Sequence, residues 1–241
     1  MSTEEGVARS RRDRRGGSAR LGLTLRSVAL RPREGFASAR RTGERRARAG
    51  ERLPEGTAPY VLAAAGGAAL MGLWLKLGAL AGLRTTGGGE VDAVVVAASF
   101  VLGAALGVAG QLLWGAVGPW IVARVGGDAR ARDLRLAWGA SALPLAGVLL
   151  LLPLDAALVG SAVFAVDAVG DSIARGWAAL SIACGVALAL WSLWLFARGV
   201  EVAAGLRPGR AALAVVVCIA GCAALVYGLG AVARFVASGL S

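Results

Sequence analysis

Few side chains in this sequence are equipped for chemistry, and which ones are missing matters. Lys76 is the only lysine, and no histidine occurs in 241 residues. The commonest general base and the commonest metal ligand are therefore absent, and Schiff-base chemistry would rest on Lys76 alone. Cys184, Cys218 and Cys222 all lie inside apolar runs. Cys218 and Cys222 are four residues apart and would share a helix face. Two thiols without an imidazole or a nearby carboxylate make a poor metal site, so packing as small hydrophobes is expected. No disulfide framework is implied. The sequence holds no Ser–His–Asp set, no H-E-x-x-H pattern and no phosphate-cradling G-x-x-x-x-G-K-[ST] loop. Gly87-Gly88-Gly89 reads as a flexible turn. The expectation is a non-enzymatic chain without cofactor or metal.

The elements that would position these residues follow from composition. The chain is 57% hydrophobic and only 17% charged, against about a quarter charged in a typical soluble domain. Charge is also segregated. More than half of the 26 basic residues are arginines within residues 1–58, from Arg9 to Arg52. Such a tail is read first as nucleic-acid binding. An apolar span follows it directly, so a positive-inside flank is the better reading, without nucleic acid. Residues 1–57 are expected to be a disordered, cytoplasmic, Arg-rich segment. Leu21, Leu23, Leu25, Val28 and Leu30 could form a short membrane-surface element within it. No signal peptide is read at the N-terminus, because Arg11–Arg15 lead into polar sequence.

Residues 58–241 read as an all-α, polytopic bundle of about five transmembrane helices. A helix needs about 20 apolar residues to cross a hydrocarbon core of roughly 30 Å. The runs are Pro59–Leu83, Ala93–Val125, Leu136–Leu154, Trp177–Ala197 and Ala211–Val232. Lys76, near the far end of the first, is expected to snorkel to the interface. Pro119 is a plausible kink in the long second run. Gly103, Gly107 and Gly110 form a small-residue stripe, and Gly78 with Gly82 a second pair, both suited to close helix approach. Trp177, Trp191 and Trp194 suit interfacial or packing roles.

The connecting segments alternate in charge. Arg124, Arg130, Arg132 and Arg135 follow the second run, and Arg198, Arg207 and Arg210 follow the fourth. The segment after the third, Asp155 to Arg175, carries Asp155, Asp167 and Asp171 and reads as a solvated outer loop. Basic loops thus fall on one side, which places the N-terminus inside and the C-terminus outside. The expected location is a bacterial inner membrane. With Lys76 near an end and no central carboxylate in any run, an ion-coupled carrier is disfavoured.

From Trp114 to Pro144 the sequence has a tryptophan-containing span, then Gly126-Gly127, a charged helix from Asp128 to Arg135, and Gly139-Ala140-Ser141-Ala142-Leu143-Pro144. This resembles the Yip domain family, polytopic membrane proteins whose founding members interact with Ypt/Rab GTPases. The family shows a paired glycine after its second span and a glycine-tyrosine-x-x-x-proline motif entering the third. Gly139 and Pro144 match the ends of that motif, and Ala140 stands at the tyrosine. The stretch Trp191–Arg198, with Gly205-Leu206-Arg207-Pro208-Gly209-Arg210 after it, is similar to the family's fourth span and following loop. The aspartate-leucine-tyrosine-glycine-proline signature of its trafficking members is absent, so Rab binding is not carried over.

What the resemblance implies is a membrane scaffold or adaptor. Gly126, Gly127, Gly139 and Pro144 would be its structural motif residues, with Gly139 permitting close approach and Pro144 a kink. Arg124, Arg130, Arg132, Arg135, Arg198, Arg207 and Arg210 would contact anionic lipid headgroups or a cytoplasmic or membrane protein partner. Oligomerisation is compatible with the small-residue faces. The alternative is a component of a small-solute or lipid transporter or channel, which a continuous polar path through the bundle would favour over a dry, glycine-packed interior.

Overall fold

The computed structural model describes residues 27–28, 30–48, 57–80, 93–159 and 172–239, and among them the secondary structure is helical. The chain divides into two units, Met1–Glu55 and Gly56–Ser241. In the first unit, α1 spans Pro32–Arg48. Pro32 suits a first helical position because its missing N–H has no partner there in any case. Part of the Arg-rich segment is thus helical. The disorder expected for the remainder falls outside the described residues.

The second unit holds α2 (Ala58–Leu80), α3 (Ala93–Arg124), α4 (Ala131–Ala146), α5 (Leu152–Leu158), α6 (Ser172–Ala204) and α7 (Pro208–Gly239). Segments Ala58–Gly78, Val94–Arg124, Ala131–Leu158 and Arg175–Ala204 are long and apolar enough to cross a membrane. With α7 as a fifth long helix, the chain is an integral membrane protein built as a helix bundle. The first, second, fourth and fifth apolar runs each appear as one helix, and α3 continues unbroken past Pro119.

The third run differs from its reading. The apolar segment does not end at Leu154; it runs to Leu158 and is interrupted internally by a 3-10 turn, Gly147–Leu150. Pro144 and Pro153 explain this. Neither has an N–H, so neither Ala140 nor Leu149 receives its ordinary i→i−4 bond from them. The chain tightens to 3-10 geometry between the prolines, with Leu151 N–H donating to the Val148 carbonyl at 3.0 Å. It resumes as α5, where Asp155 N–H donates to the Leu151 carbonyl at 2.8 Å. Irregular backbone at membrane depth is tolerated where protein covers it, and Val148 in the turn is buried.

α4 is central, packing against α2, α3 and α6, while α2 lies along α3 and α7 contacts α6 and α3. Apolar burial gives little drive for helix association in lipid, so van der Waals fit and interhelical hydrogen bonds must supply it. The fit between α2 and α3 is made by Gly67, Gly103 and Gly107. A Cβ on Gly103 would lie 2.6 Å from the Gly67 carbonyl oxygen, and one on Gly107 would lie 3.1 Å from Gly67 Cα. Gly110 instead receives Trp138 of α4. Of the expected pair at Gly78 and Gly82, a Cβ on Gly78 would meet nothing within 4 Å, and Gly82 lies outside the described residues. Between α4 and α6, Ser192 Oγ donates to the Ser141 carbonyl at 2.6 Å. Nearby, Trp114 and Trp138 both meet Phe196 edge-on, at centroid distances of 5.3 and 5.1 Å, a favoured geometry for aromatic pairs.

Gly107→Ala is expected to lower bundle stability by about 1–3 kcal/mol through overpacking. Gly78→Ala is expected to be neutral or slightly stabilising, since alanine costs less backbone entropy in a helix. Thermal unfolding of both purified variants, followed by circular dichroism in one detergent, checks the difference.

Candidate functional site

Two features stand out from the bundle. The first is a buried polar cluster. Lys76 of α2 does not snorkel; it is 1% exposed and forms an ion pair with Asp155, which is also 1% exposed. Asp155 therefore does not belong to a solvated outer loop. It sits in α5, and the paired carboxylate explains why Lys76 turns inward. A snorkelling ammonium would reach water; here Lys76 takes a counter-ion inside the protein instead.

Two side chains of α6 complete the cluster, one as an acceptor and one as a donor. Lys76 Nζ donates to Ser181 Oγ at 3.0 Å, and Trp177 Nε1 donates to Asp155 Oδ1 at 3.0 Å. The two carboxylate oxygens are thus engaged separately, Oδ2 by the ammonium and Oδ1 by the indole. Trp177 and Ser181 are four residues apart, which places both on one face of α6. At a rise of 1.5 Å per residue, Lys76 lies about 6 Å before the end of α2, and Ser181 about 14 Å inside α6. The cluster lies within the spans. Asp155 is also the only buried residue of α5.

Asp167 and Asp171, expected beside Asp155, lie outside the described residues, as does Gly87-Gly88-Gly89. Cys218 is buried in the apolar core, as a small hydrophobe would be, whereas Cys184 faces outward. Among the described residues no group of three His, Cys, Asp or Glu side chains could hold a metal.

The second feature is the opposite, basic end, where α3 meets α4 and α6 meets α7. Gly126, at φ +83°, ends α3: its own N–H donates to the Ala123 carbonyl at 3.1 Å and that of Gly127 to Val122 at 3.0 Å. This is the Schellman arrangement, in which glycine takes the left-handed position. Gly205, at φ +64°, ends α6 similarly, with Leu206 N–H reaching back to the Glu201 carbonyl at 3.1 Å. The two turns are joined by Asp128 N–H donating to the Ala204 carbonyl at 3.2 Å and by Leu206 packing where a Cβ on Gly127 would stand. Gly139 sits against Pro59 at the start of α2, its missing Cβ 2.5 Å from that carbonyl oxygen.

The seven arginines singled out from the sequence gather at this end. Arg124, Arg130, Arg132, Arg207 and Arg210 are exposed, and Arg135 and Arg198 half-buried. Arg124 lies over the Trp120 ring at 4.6 Å and Arg198 over Trp194 at 5.5 Å. Arg198 also pairs with Glu201 at 2.7 Å, and Arg210 Nη1 donates weakly to the Val125 carbonyl at 3.4 Å. The Arg135 carbonyl accepts from Gln111 Nε2 of α3 at 3.0 Å. Sequence reasoning placed the arginines but missed Asp155. Its signal was faint: one carboxylate between Leu154 and Ala156 in an apolar stretch, and one lysine in another apolar run.

Comparison with protein-family profiles, curated proteins and solved structures returns no match for the chain.

Removing one partner of a buried pair leaves an uncompensated charge, at a typical cost of about 3–5 kcal/mol, whereas replacing both by apolar groups is often neutral. Lys76→Met and Asp155→Leu are each expected to destabilise the bundle by that order, and the double variant to recover most of the loss. Unfolding of the four proteins in a double-mutant cycle measures the coupling.

Proposed function

We propose that this chain is a non-enzymatic, Yip-like membrane scaffold whose basic end holds anionic lipid headgroups at the cytoplasmic face. The observation that carries the reading is the gathering of seven arginines on and beside two turns that are themselves tied together, opposed there by Asp128, Asp133 and Glu201 among the described residues. Flexible arginines on separate loops would set topology equally well. Here Gly126 and Gly205 fix the backbone, and Arg124, Arg130, Arg132, Arg207 and Arg210 are exposed beside it. Guanidinium forks match phosphate oxygens geometrically. The tryptophans under Arg124 and Arg198 suit a headgroup-level position.

The Yip-like part of the proposal draws support from the positions of its motif residues. Gly126-Gly127 makes the helix end and the seat of Leu206, Gly139 the close approach to α2, and Pro144 the approach to the break in the third span. With basic loops inside, the N-terminus is cytoplasmic and the C-terminus outside, in a bacterial inner membrane. The glycine-packed α2–α3 face favours a scaffold over a channel. One observation favours the second reading, a small-solute carrier: the ion pair beside a broken helix, an arrangement that carriers use for binding.

Replacing Arg124, Arg207 and Arg210 together by glutamine is expected to reduce preference for anionic over zwitterionic lipid, by on the order of 1 kcal/mol per arginine at low salt. The difference should shrink at 1 M salt, where the Debye length is about 3 Å. Native mass spectrometry of protein released from mixed-lipid nanodiscs reads the retained lipid. Equal anionic enrichment in both proteins would reduce the arginines to topology signals.

A further inference from the structure

The buried cluster has the form of a receptor holding a guest. Lys76 and Ser181, from two different spans, meet at 3.0 Å. Lys76 and Trp177 offer an ammonium and an indole N–H to one carboxylate, and Ser181 accepts from the ammonium. The guest, Asp155, is attached in an unusual way. Its helix α5 has seven residues, none buried except Asp155; Pro153 lies in its first turn, and a 3-10 turn separates it from α4. The carboxylate is therefore fixed by its donors more than by its own helix. The helix ends at Leu158, less than one turn beyond Asp155, so a small rotation about the break carries that carboxylate toward the end of the span.

Beside the guest lies a groove of about 260 Å³ between α5 and α6, lined by Leu158, Ile173, Gly176, Trp177 and Leu180. Its walls are almost wholly apolar, and Leu158, Ile173 and Leu180 are exposed. Trp177 belongs to both features: its ring lines the groove and its N–H holds Asp155. A ligand with an apolar tail and a carboxylate head matches this pair of environments. A carboxylate leaves the balance of charge at Lys76 unchanged when it replaces Asp155 and reproduces the two acceptor oxygens that Lys76 and Trp177 engage. An isolated buried ammonium would be far costlier.

We propose that Lys76 and Trp177, with Ser181 holding the ammonium in place, form a carboxylate-binding site that Asp155 occupies from within the chain, and that an aliphatic monocarboxylate takes its place, tail in the α5–α6 groove. This inference is independent of the lipid-holding role of the basic end, which uses other residues at the other end of the bundle.

Equilibrium binding of radiolabelled octanoate to the full chain in zwitterionic nanodiscs tests it, with methyl octanoate as the neutral competitor. Wild type should bind saturably, and Lys76→Met should abolish binding without a change in partitioning into empty nanodiscs. Asp155→Ala removes the internal guest and should bind at least tenfold more tightly. Asp155→Asn, which keeps the side-chain shape, serves if the alanine variant fails to fold. Methyl octanoate should not compete. Absence of saturable binding in all proteins overturns the proposal, and so does binding that survives Lys76→Met. Binding to the Asp155 variants with none to wild type also overturns it, because Asp155 would then be a permanent structural partner.

Discussion

Hydrocarbon offers no water to a polar group, so a charge that enters it must bring its partner. Lys76 and Asp155 meet that requirement with each other, and much of the bundle's far end depends on the solution. The pair needs a carboxylate facing inward from the third span. Pro144 and Pro153 each remove one i→i−4 bond within ten residues of that span, which weakens a continuous helix there. The 3-10 turn follows, and with it a short helix whose buried side is one carboxylate. Ser181 and Trp177 then satisfy what the pair leaves over. Only about 0–1 kcal/mol is expected of an ion pair at a water-exposed surface; in a buried setting the larger quantity is the cost of parting the two groups.

The rest of the bundle holds together by a different means. Helices in lipid gain little from hiding apolar surface from one another, so close backbone approach carries the association. The meeting of Gly67 with Gly103 and Gly107 on α2 and α3 is one such approach, and Gly139 on Pro59 another. At the basic end the glycines act through the backbone instead, at the left-handed helix caps of Gly126 and Gly205. One residue type thus serves two physical purposes at opposite kinds of place.

What was legible in the sequence follows from which constraints are local. The second span could be read nearly to the residue, because Asp92 and Gly126 bracket an unbroken apolar run that becomes α3. The arginines at the basic end were legible because loop charge is a linear property. The third span was misread at its end because a charge in a linear scan marks a boundary. Asp155 marks a partner instead, and that partner is 79 residues away. The same limit applies to the glycines. A stripe on one helix shows a face on which close approach is possible, but not that a neighbour lies there, so Gly103 and Gly78 read alike and differ in the structure. Part of the Arg-rich segment, read as disordered, forms α1 despite its low apolar content.

The most direct measurement uses the fact that Lys76 is the only lysine. Selective ¹⁵N-lysine labelling gives one side-chain ammonium signal in the whole protein, and ¹³C labelling of aspartate adds its partner. Solid-state NMR of the protein in lipid should show one Nζ resonance, slow to exchange with water and dipolar-coupled to a single aspartate carboxyl carbon, with the coupling lost in Asp155→Asn. An Nζ signal in fast exchange with water and uncoupled to any carboxylate would place Lys76 at the interface, and would contradict the buried pair on which this structural account rests.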